Sequence, residues 1–439
     1  MSGYPPIRLF AAVLGLALLG ATLAWRIPFM LWDHLDFAPL YAAWQRGESL
    51  SPTIFWHSHG GHLHTAAYAV LLFTTWLSHG QTWMDCLASW IFLGVYAATI
   101  LVLCRETFAL VDVRVRASVL LIVFLALYPG HLANLQWGWQ VAVFLCLSGT
   151  VVAIRSLTRQ EICWRDNVIA LCAATIAVLS FGIALALIPI ALFAIAVRGE
   201  LRPGARLGFA LPWLLGSIVI TYALRSDASI VMRESHIEWV TVATRVFQIG
   251  VYALNFLGAG IARFATGAAP WLGLFAICSG GLAAVLLRRR RSAWPWIGFL
   301  LFGVIGSILT ALGRVDEGAT QAFASRYVSF SSLFWLGWVG LLTLASTTRK
   351  RHVAQCAVFG VVALFAIGNA VAMSKRARRL AHEARVTAAT VCATYPDVDA
   401  SVLKDMHYAG ADAARERLRV LHQLGFAPFD TCAPSVAIH

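Results

Sequence analysis

Charge is scarce in this 439-residue chain: Asp, Glu, Lys and Arg make up 13% of it, against 59% hydrophobic residues. A soluble globular protein carries about 25% charged residues, so that deficit excludes one. Acids are the scarcer sign, 21 against 34 Lys and Arg, and most of the net +13 comes from arginines in short loops between apolar runs. That is how positive-inside charge is distributed, so no nucleic-acid partner is expected. Asn-x-Ser/Thr sequons, internal repeats, low-complexity runs and a Gly-rich phosphate loop are all missing. A soluble nucleotide-sugar fold is therefore not expected. Cysteine is informative where it is sparse. Seven of the nine lie in or beside apolar segments, where a thiol is a small hydrophobe. Cys392 and Cys432 stand in the polar C-terminal stretch, and their pairing depends on which side that stretch faces. A bridge there closes a loop of roughly 40 residues, worth about 4 kcal/mol on the chain-entropy model.

What is there in abundance is apolar sequence. Segments fall at about 9–25, 63–78, 86–104, 117–128, 137–154, 167–179, 183–197, 207–223, 242–262, 271–287, 295–312, 327–346 and 353–373. Runs of this length can span a hydrocarbon core of roughly 30 Å, so the chain reads as an all-α polytopic membrane protein. The first segment reads as an uncleaved anchor rather than a signal peptide, given the spans that follow. Loops 105–116, 155–166, 198–206, 288–294 and 346–352 carry three, three, three, four and three Lys or Arg. If all five are cytoplasmic, every stretch between them holds an even number of crossings. Parity is met when 63–78 and 242–262 lie along the surface. The first contains Thr65, Thr74, Thr75 and Ser78; the second carries Arg245, Gln248 and Asn255, as an interfacial helix would. The expectation is about eleven transmembrane helices, with the N-terminus cytoplasmic and the C-terminus periplasmic. The cytoplasmic segments then hold 17 Lys and Arg, the external loops 8 and the tail 9. The cluster Lys375-Arg376-Ala377-Arg378-Arg379 opposes this placement of the tail. Residues 1–373 form the membrane domain, with a first external loop at 26–85, and 374–439 a small soluble tail.

Polar residues gather on the side opposite the arginine loops. The opening loop carries Asp33, Asp36, His57, His59, His62 and His64. A second external stretch runs from Pro129 to Gln140, with Asn134, Gln136, Trp137, Trp139 and Gln140. The break Ser180-Phe181-Gly182, the 224–241 loop with Glu234, His236 and Glu238, and 313–327 with Arg314, Asp316, Glu317, Gln321, Arg326 and Tyr327 complete it. Each group has a plain reading and a chemical one. Asp33 and Asp36 either solvate a loop or serve as a base. The histidines either hydrogen-bond headgroups and carboxylates or share a metal ion. The tryptophans form an interfacial belt or line a substrate. Arg314 and Arg326 stand at the edges of apolar helices, where a guanidinium is costly unless paired or wetted. They pair with Asp316 or Glu317, or they hold a phosphate.

This pattern resembles GT-C-type glycosyltransferases, and more closely a group of largely uncharacterised bacterial membrane proteins related to them. The residues that carry the resemblance are Asp33-His34, His59-Gly60-Gly61-His62, Asn134 through Gln140, Ser180-Phe181, Gly313-Arg314 through Gln321 to Ser325-Arg326-Tyr327, Tyr395-Pro396-Asp397 and Leu424-Gly425-Phe426. It covers nearly the whole chain on short motifs. The resemblance implies a bacterial inner-membrane enzyme that takes a sugar from a polyprenyl-phosphate donor to a cell-envelope glycan, lipid or protein. An acid of the first external loop, Asp33 or Asp36, would be the base. Many members place a second acid in the next external loop, often with a divalent metal; 129–140 has none, so a metal is not supported. Arg314 and Arg326 would sit on the lipid phosphate, with Gln321, Tyr327, His59, His62, Asn134, Trp137, Trp139 and Gln140 around the substrate. Two rivals are a flippase or transporter of lipid-linked sugars and an inert membrane scaffold. A flippase should carry polar residues through the midplane and on both faces, whereas here they crowd one.

Overall fold

The computed structural model describes residues 5–48, 58–59, 62–109, 112–226, 239–346, 349–430 and 432. Among them the chain is helical, apart from a two-residue antiparallel pair, Ser58–His59 against His62–Leu63. Ten helices are long and apolar enough to cross a membrane. This is a multi-pass membrane protein.

Most of the bundle is built from α1 (Pro5–Ala24), α2 (Phe37–Gln45), α3 (Thr65–Ser78), α4 (Trp83–Thr107) and α5 (Val113–Ala126). A short α6 (Leu132–Leu135), α7 (Val141–Leu157), α8 (Trp164–Val178), α9 (Leu187–Ala196) and α10 (Pro203–Ser226) follow. Next come α11 (Trp239–Ala262), α12 (Ala269–Leu287), α13 (Trp294–Arg314) and α14 (Ser325–Ala345). The chain closes with α15 (Arg349–Thr394), α16 (Ala400–Met406) and α17 (Ala411–Leu424). The centre is α7 and α14, buried over most of their length. Small residues let the neighbours close on them: at Gly337 a Cβ would lie 2.7 Å from the backbone of Trp296 and Leu300. Without water to drive association, such close packing is what holds membrane helices together. By contrast α10 lies at the periphery, with 6% of its apolar window buried.

The connections sort into two poles. At one, Arg155 bonds Glu106, and Arg159 bonds Asp166 at 2.9 Å. Arg198 donates to the carbonyls of Leu157 and Arg159, and Arg291 pairs with Glu200. At the other, Ile27 N–H donates to Gln136 O, Ala66 N–H to Leu179 O, and Arg385 to Ala24 O. We call these the basic and the polar pole.

Ten helices meet the length and composition criteria where about eleven crossings were expected, and nine of them coincide. The two expected spans at 167–179 and 183–197 are short: α8 has 15 residues, about 22 Å of helix. Their ends nevertheless reach both poles, from Asp166 to Leu179 and from Phe181 to Arg198. Conversely α11, read as non-crossing, is long and apolar enough to cross. Both its ends nonetheless contact the polar half. Arg245 pairs with Asp316, and Tyr128 donates to Gly260 O. Between them Phe256 packs on Tyr327, and Leu257 O accepts from Trp335. Tyr327 and Trp335 lie about 3 and 15 Å below Ser325 along α14. Short α3 likewise begins beside Leu179 and reaches Asp85 through Thr74.

No helix break marks residue 374. The expected tail from 374 is not a separate start, because α15 runs unbroken for 46 residues, about 69 Å, carrying Lys375–Arg379 with it. Nothing in that stretch breaks a helix, since no Gly or Pro occurs between Ala370 and Thr394. Only the part beyond Thr394 folds back. Cys392 and Cys432 are joined by a disulfide, with Cα atoms 5.4 Å apart.

Candidate functional site at the polar pole

The opening loop enters as extended chain and turns sharply at Trp32, whose backbone is left-handed (φ 55°). That conformation is uncommon for a bulky residue. Three contacts hold it. The indole packs edge-on to Trp137 at 5.1 Å, its N–H donates to Asp405 O at 3.0 Å, and Trp137 N–H donates to Leu31 O at 3.2 Å. A 3-10 turn over Trp32–Asp36 follows, leading directly into α2. Asp33 and Asp36 leave this turn half-buried, on either side of buried His34 and Leu35.

The two acids have different surroundings. Asp36 faces the C-terminal hairpin: His407 Nε2 lies 3.0 Å from its Oδ1, Tyr408 OH donates to its Oδ2 at 3.2 Å, and Arg417 donates to Oδ1 at 3.3 Å. The hairpin also lays Phe426 against Tyr41, ring centres 5.3 Å apart, and against Gly80. Gly80 has φ +81°, and a Cβ there would overlap the Phe426 ring, so only glycine fits. Gln81 bonds Asp430 across the same seam.

Beneath the loop lies a third acid that the sequence reading passed over as the end of the loop. Asp85 is buried at the head of α4 and accepts from Thr74 Oγ1. His34 Nε2 is 3.9 Å from its Oδ2. That separation exceeds a hydrogen bond. Burial also pushes the His34 imidazole down to about 3, so the ring is neutral and the pair is a contact rather than a salt bridge. Gly138 lies over both: a Cβ there would sit 2.7 Å from Asp85 Cβ and 2.9 Å from His34 Cε1. An acid in the 129–140 region therefore exists in space, though not in sequence.

The 129–140 segment joins everything else. Asn134 Nδ2 donates to Ser325 O at 2.9 Å and Ser329 Oγ at 2.8 Å, and His131 Nδ1 is 2.9 Å from the same hydroxyl. With its amide turned to donate, Gln136 reaches Trp25 O and Ala377 O, each at 2.9 Å. Trp139 is buried against His64, Tyr68 and His34, with ring centres 5.4, 5.8 and 6.4 Å away. Asn134, Trp139 and Gln140 are thus buried within the packing, whereas Trp32 and Trp137 are half-buried at its rim.

Of the 313–327 residues, Arg314 pairs with Glu317, and Gln321 donates to the same carboxylate at 2.8 Å. Arg245 takes Asp316. Tyr327 is buried against Phe256. Arg326 lies over the Tyr327 ring at 5.1 Å and is half-buried. Among the described residues it has no carboxylate within ion-pair distance. Arg326 thus adjoins Ser325, whose carbonyl accepts from Asn134; the same 129–140 segment meets the opening loop through Trp137 and Gln136.

The His59 and His62 backbones form the short hairpin, and their side chains lie outside the described residues, as do His57, Glu234, His236 and Glu238. Among the described residues, no group of three or more His, Cys, Asp or Glu is placed to hold a metal ion. Asp36 is held by the C-terminal hairpin, and Asp85 is enclosed under Gly138. Comparisons with protein-family models, with curated proteins and with solved structures find no match to this chain.

Proposed function

We propose that the protein is a GT-C-like bacterial inner-membrane glycosyltransferase. It moves a sugar from a polyprenyl-phosphate donor to a cell-envelope glycan, lipid or protein. One observation supports the reading: the 129–140 segment packs on Trp32, the neighbour of Asp33, and bonds Ser325, the neighbour of Arg326, at the pole opposite the arginine loops. Positive-inside bias makes the basic pole cytoplasmic, so the working pole and the C-terminus are periplasmic. Counting α8 and α9 as crossings, and α3 and α11 as interfacial, restores eleven.

The chemistry asks for a base, a cation and an apolar entry. Asp33 takes the proton of the acceptor hydroxyl, and the freed oxygen attacks the anomeric carbon. The bond from that carbon to the lipid phosphate breaks, and its electron pair stays on the phosphate oxygen. The Arg326 guanidinium balances the charge that develops there. Trp32 and Trp137 offer aromatic surface to a sugar ring, and the prenyl chain stays in the bilayer. Asp36 is not the base in this scheme; it holds the C-terminal hairpin against the loop.

The test replaces Asp33 and Asp36 separately with Asn and profiles surface glycans by mass spectrometry beside a deletion strain. Asp33→Asn should reproduce the deletion defect at a normal protein level. A deletion defect that both variants fully rescue would remove the catalytic assignment and favour a flippase.

A further inference from the structure

The basic pole contains a cavity that glycosyl transfer does not use. It measures about 550 Å³ and lies between α9, α12 and α13. That is within the range of small-molecule sites. Its walls are apolar, with Phe193, Val197, Val285 and Leu301 among them, and Arg288, Arg289 and Arg291 stand at one end. Phe193, Val197 and Val285 are also exposed on the outer surface of the bundle, so the apolar side opens to the bilayer.

The charge at this end is not neutralised. Glu200 bridges Arg198 and Arg291. Arg288 donates only to Val285 O, and no described acid lies within ion-pair distance of Arg288 or Arg289. Of the three guanidinium groups lining this end, only that of Arg291 has a carboxylate partner among the described residues, Glu200. A second observation points to a ligand: Nη1 of Arg291 is buried and has no hydrogen-bond partner, while the same guanidinium lies over the Trp294 ring at 4.0 Å. A buried donor left unsatisfied is destabilising. An anionic oxygen would remove that cost.

We propose that this cavity binds an acidic membrane phospholipid, with its phosphate on Arg288, Arg289 and Arg291 and an acyl chain along Phe193, Val197 and Leu301. Guanidinium forks match phosphate oxygens, and basic pockets between membrane helices at headgroup level recognise such lipids. The apolar wall selects a lipid over free phosphate, and the arginines select an acidic headgroup over a zwitterionic one. The inference needs no assignment of which side of the membrane the pole faces, and it is independent of the glycosyltransferase reading.

Native mass spectrometry of the delipidated protein tests it, with phosphatidylglycerol, phosphatidylcholine and inorganic phosphate as separate probes. Phosphatidylglycerol should bind at least tenfold more tightly than phosphatidylcholine. That preference should fall about tenfold in R288Q/R289Q. Ala284→Trp, which fills the cavity and leaves every arginine in place, should also weaken it. Equal binding of the two lipids, unchanged preference in both variants, or phosphate binding as tightly as the lipid would overturn the proposal.

Discussion

Trp32 carries its backbone in the left-handed region, where an L-residue costs on the order of 1–2 kcal/mol. Such strain persists only where the surroundings over-determine it, and here Trp137 and Asp405 do so. The consequence is that Asp33 is aimed by a fixed turn rather than a loose loop. Asp33→Asn should therefore lower turnover by about 10²–10⁴-fold, the usual contribution of a positioned base, with the thermal transition nearly unchanged. His34 tests the buried layer below. Above pH 6.5 neither state binds its proton. Below that, the unfolded chain takes up a proton that the folded protein refuses until about 3, so stability falls as the pH drops through that window. His34→Phe, which suits the neighbouring Phe37 and Trp139 rings, should flatten that acid loss. Thermal unfolding in detergent between pH 7.5 and 5 measures it, and parallel curves for both proteins would contradict the neutral-histidine account. These residue roles were only partly legible. Asp33 and Asp36 look equivalent in sequence, and only the hairpin arriving some 370 positions later separates them.

At the scale of elements, the hairpin of α16 and α17 is the part most open to test. It docks on the opening loop through Asp36, Tyr41, Gly80 and Gln81, and the Cys392–Cys432 bridge ties its far end to α15. Removing that bridge with Cys392→Ser and Cys432→Ser should lower the hairpin's stability by about 2–4 kcal/mol. Arg417→Ala should expose the same region while leaving the membrane bundle intact. Limited proteolysis reads both, with cleavage beyond Thr394 expected to speed up in each variant; unchanged cleavage would show that docking does not depend on these links. The cysteine pair was visible in the sequence because the apolar segments claimed every other thiol. The docking was not, because α17 shows an amphipathic face without saying what covers it. Core truncation gives a further check: Trp139→Ala, at a site 5% exposed, should cost about 3–5 kcal/mol, seen as a lower melting temperature.

For the whole molecule, the two-pole arrangement was the most legible property. Arginine counts in loops and hydropathy in segments are both one-dimensional signals, and four of the five loops that they group meet in space. Crossing numbers were less legible, because length fails in both directions. The helices α8 and α9 are short yet have contacts at both poles, and α11 is long enough to cross yet Arg245 and Gly260 both contact the polar half. Burial decides such cases, and burial depends on partners that the local sequence does not contain. The same limit explains the arginines. Arg314 and Arg326 look alike along the chain, but Arg314 has Glu317 three residues away on its own turn, whereas Arg326 adjoins the segment that reaches the opening loop. In the proposed scheme Asp33 and Arg326 serve one site, and Arg314 is held by Glu317.

The most direct measurement reconstitutes the purified protein in liposomes made from total envelope lipid, which supplies lipid-linked sugars without presuming which one is used. Polyprenyl phosphate released over time is then quantified by mass spectrometry. The account predicts release by the wild-type protein, a loss of at least a hundredfold in Asp33→Asn and in Arg326→Ala, and a much smaller loss in Arg314→Ala. Release that is unaffected by Asp33→Asn, or no release at all from protein that folds normally and is supplied with donor and acceptor, would contradict it.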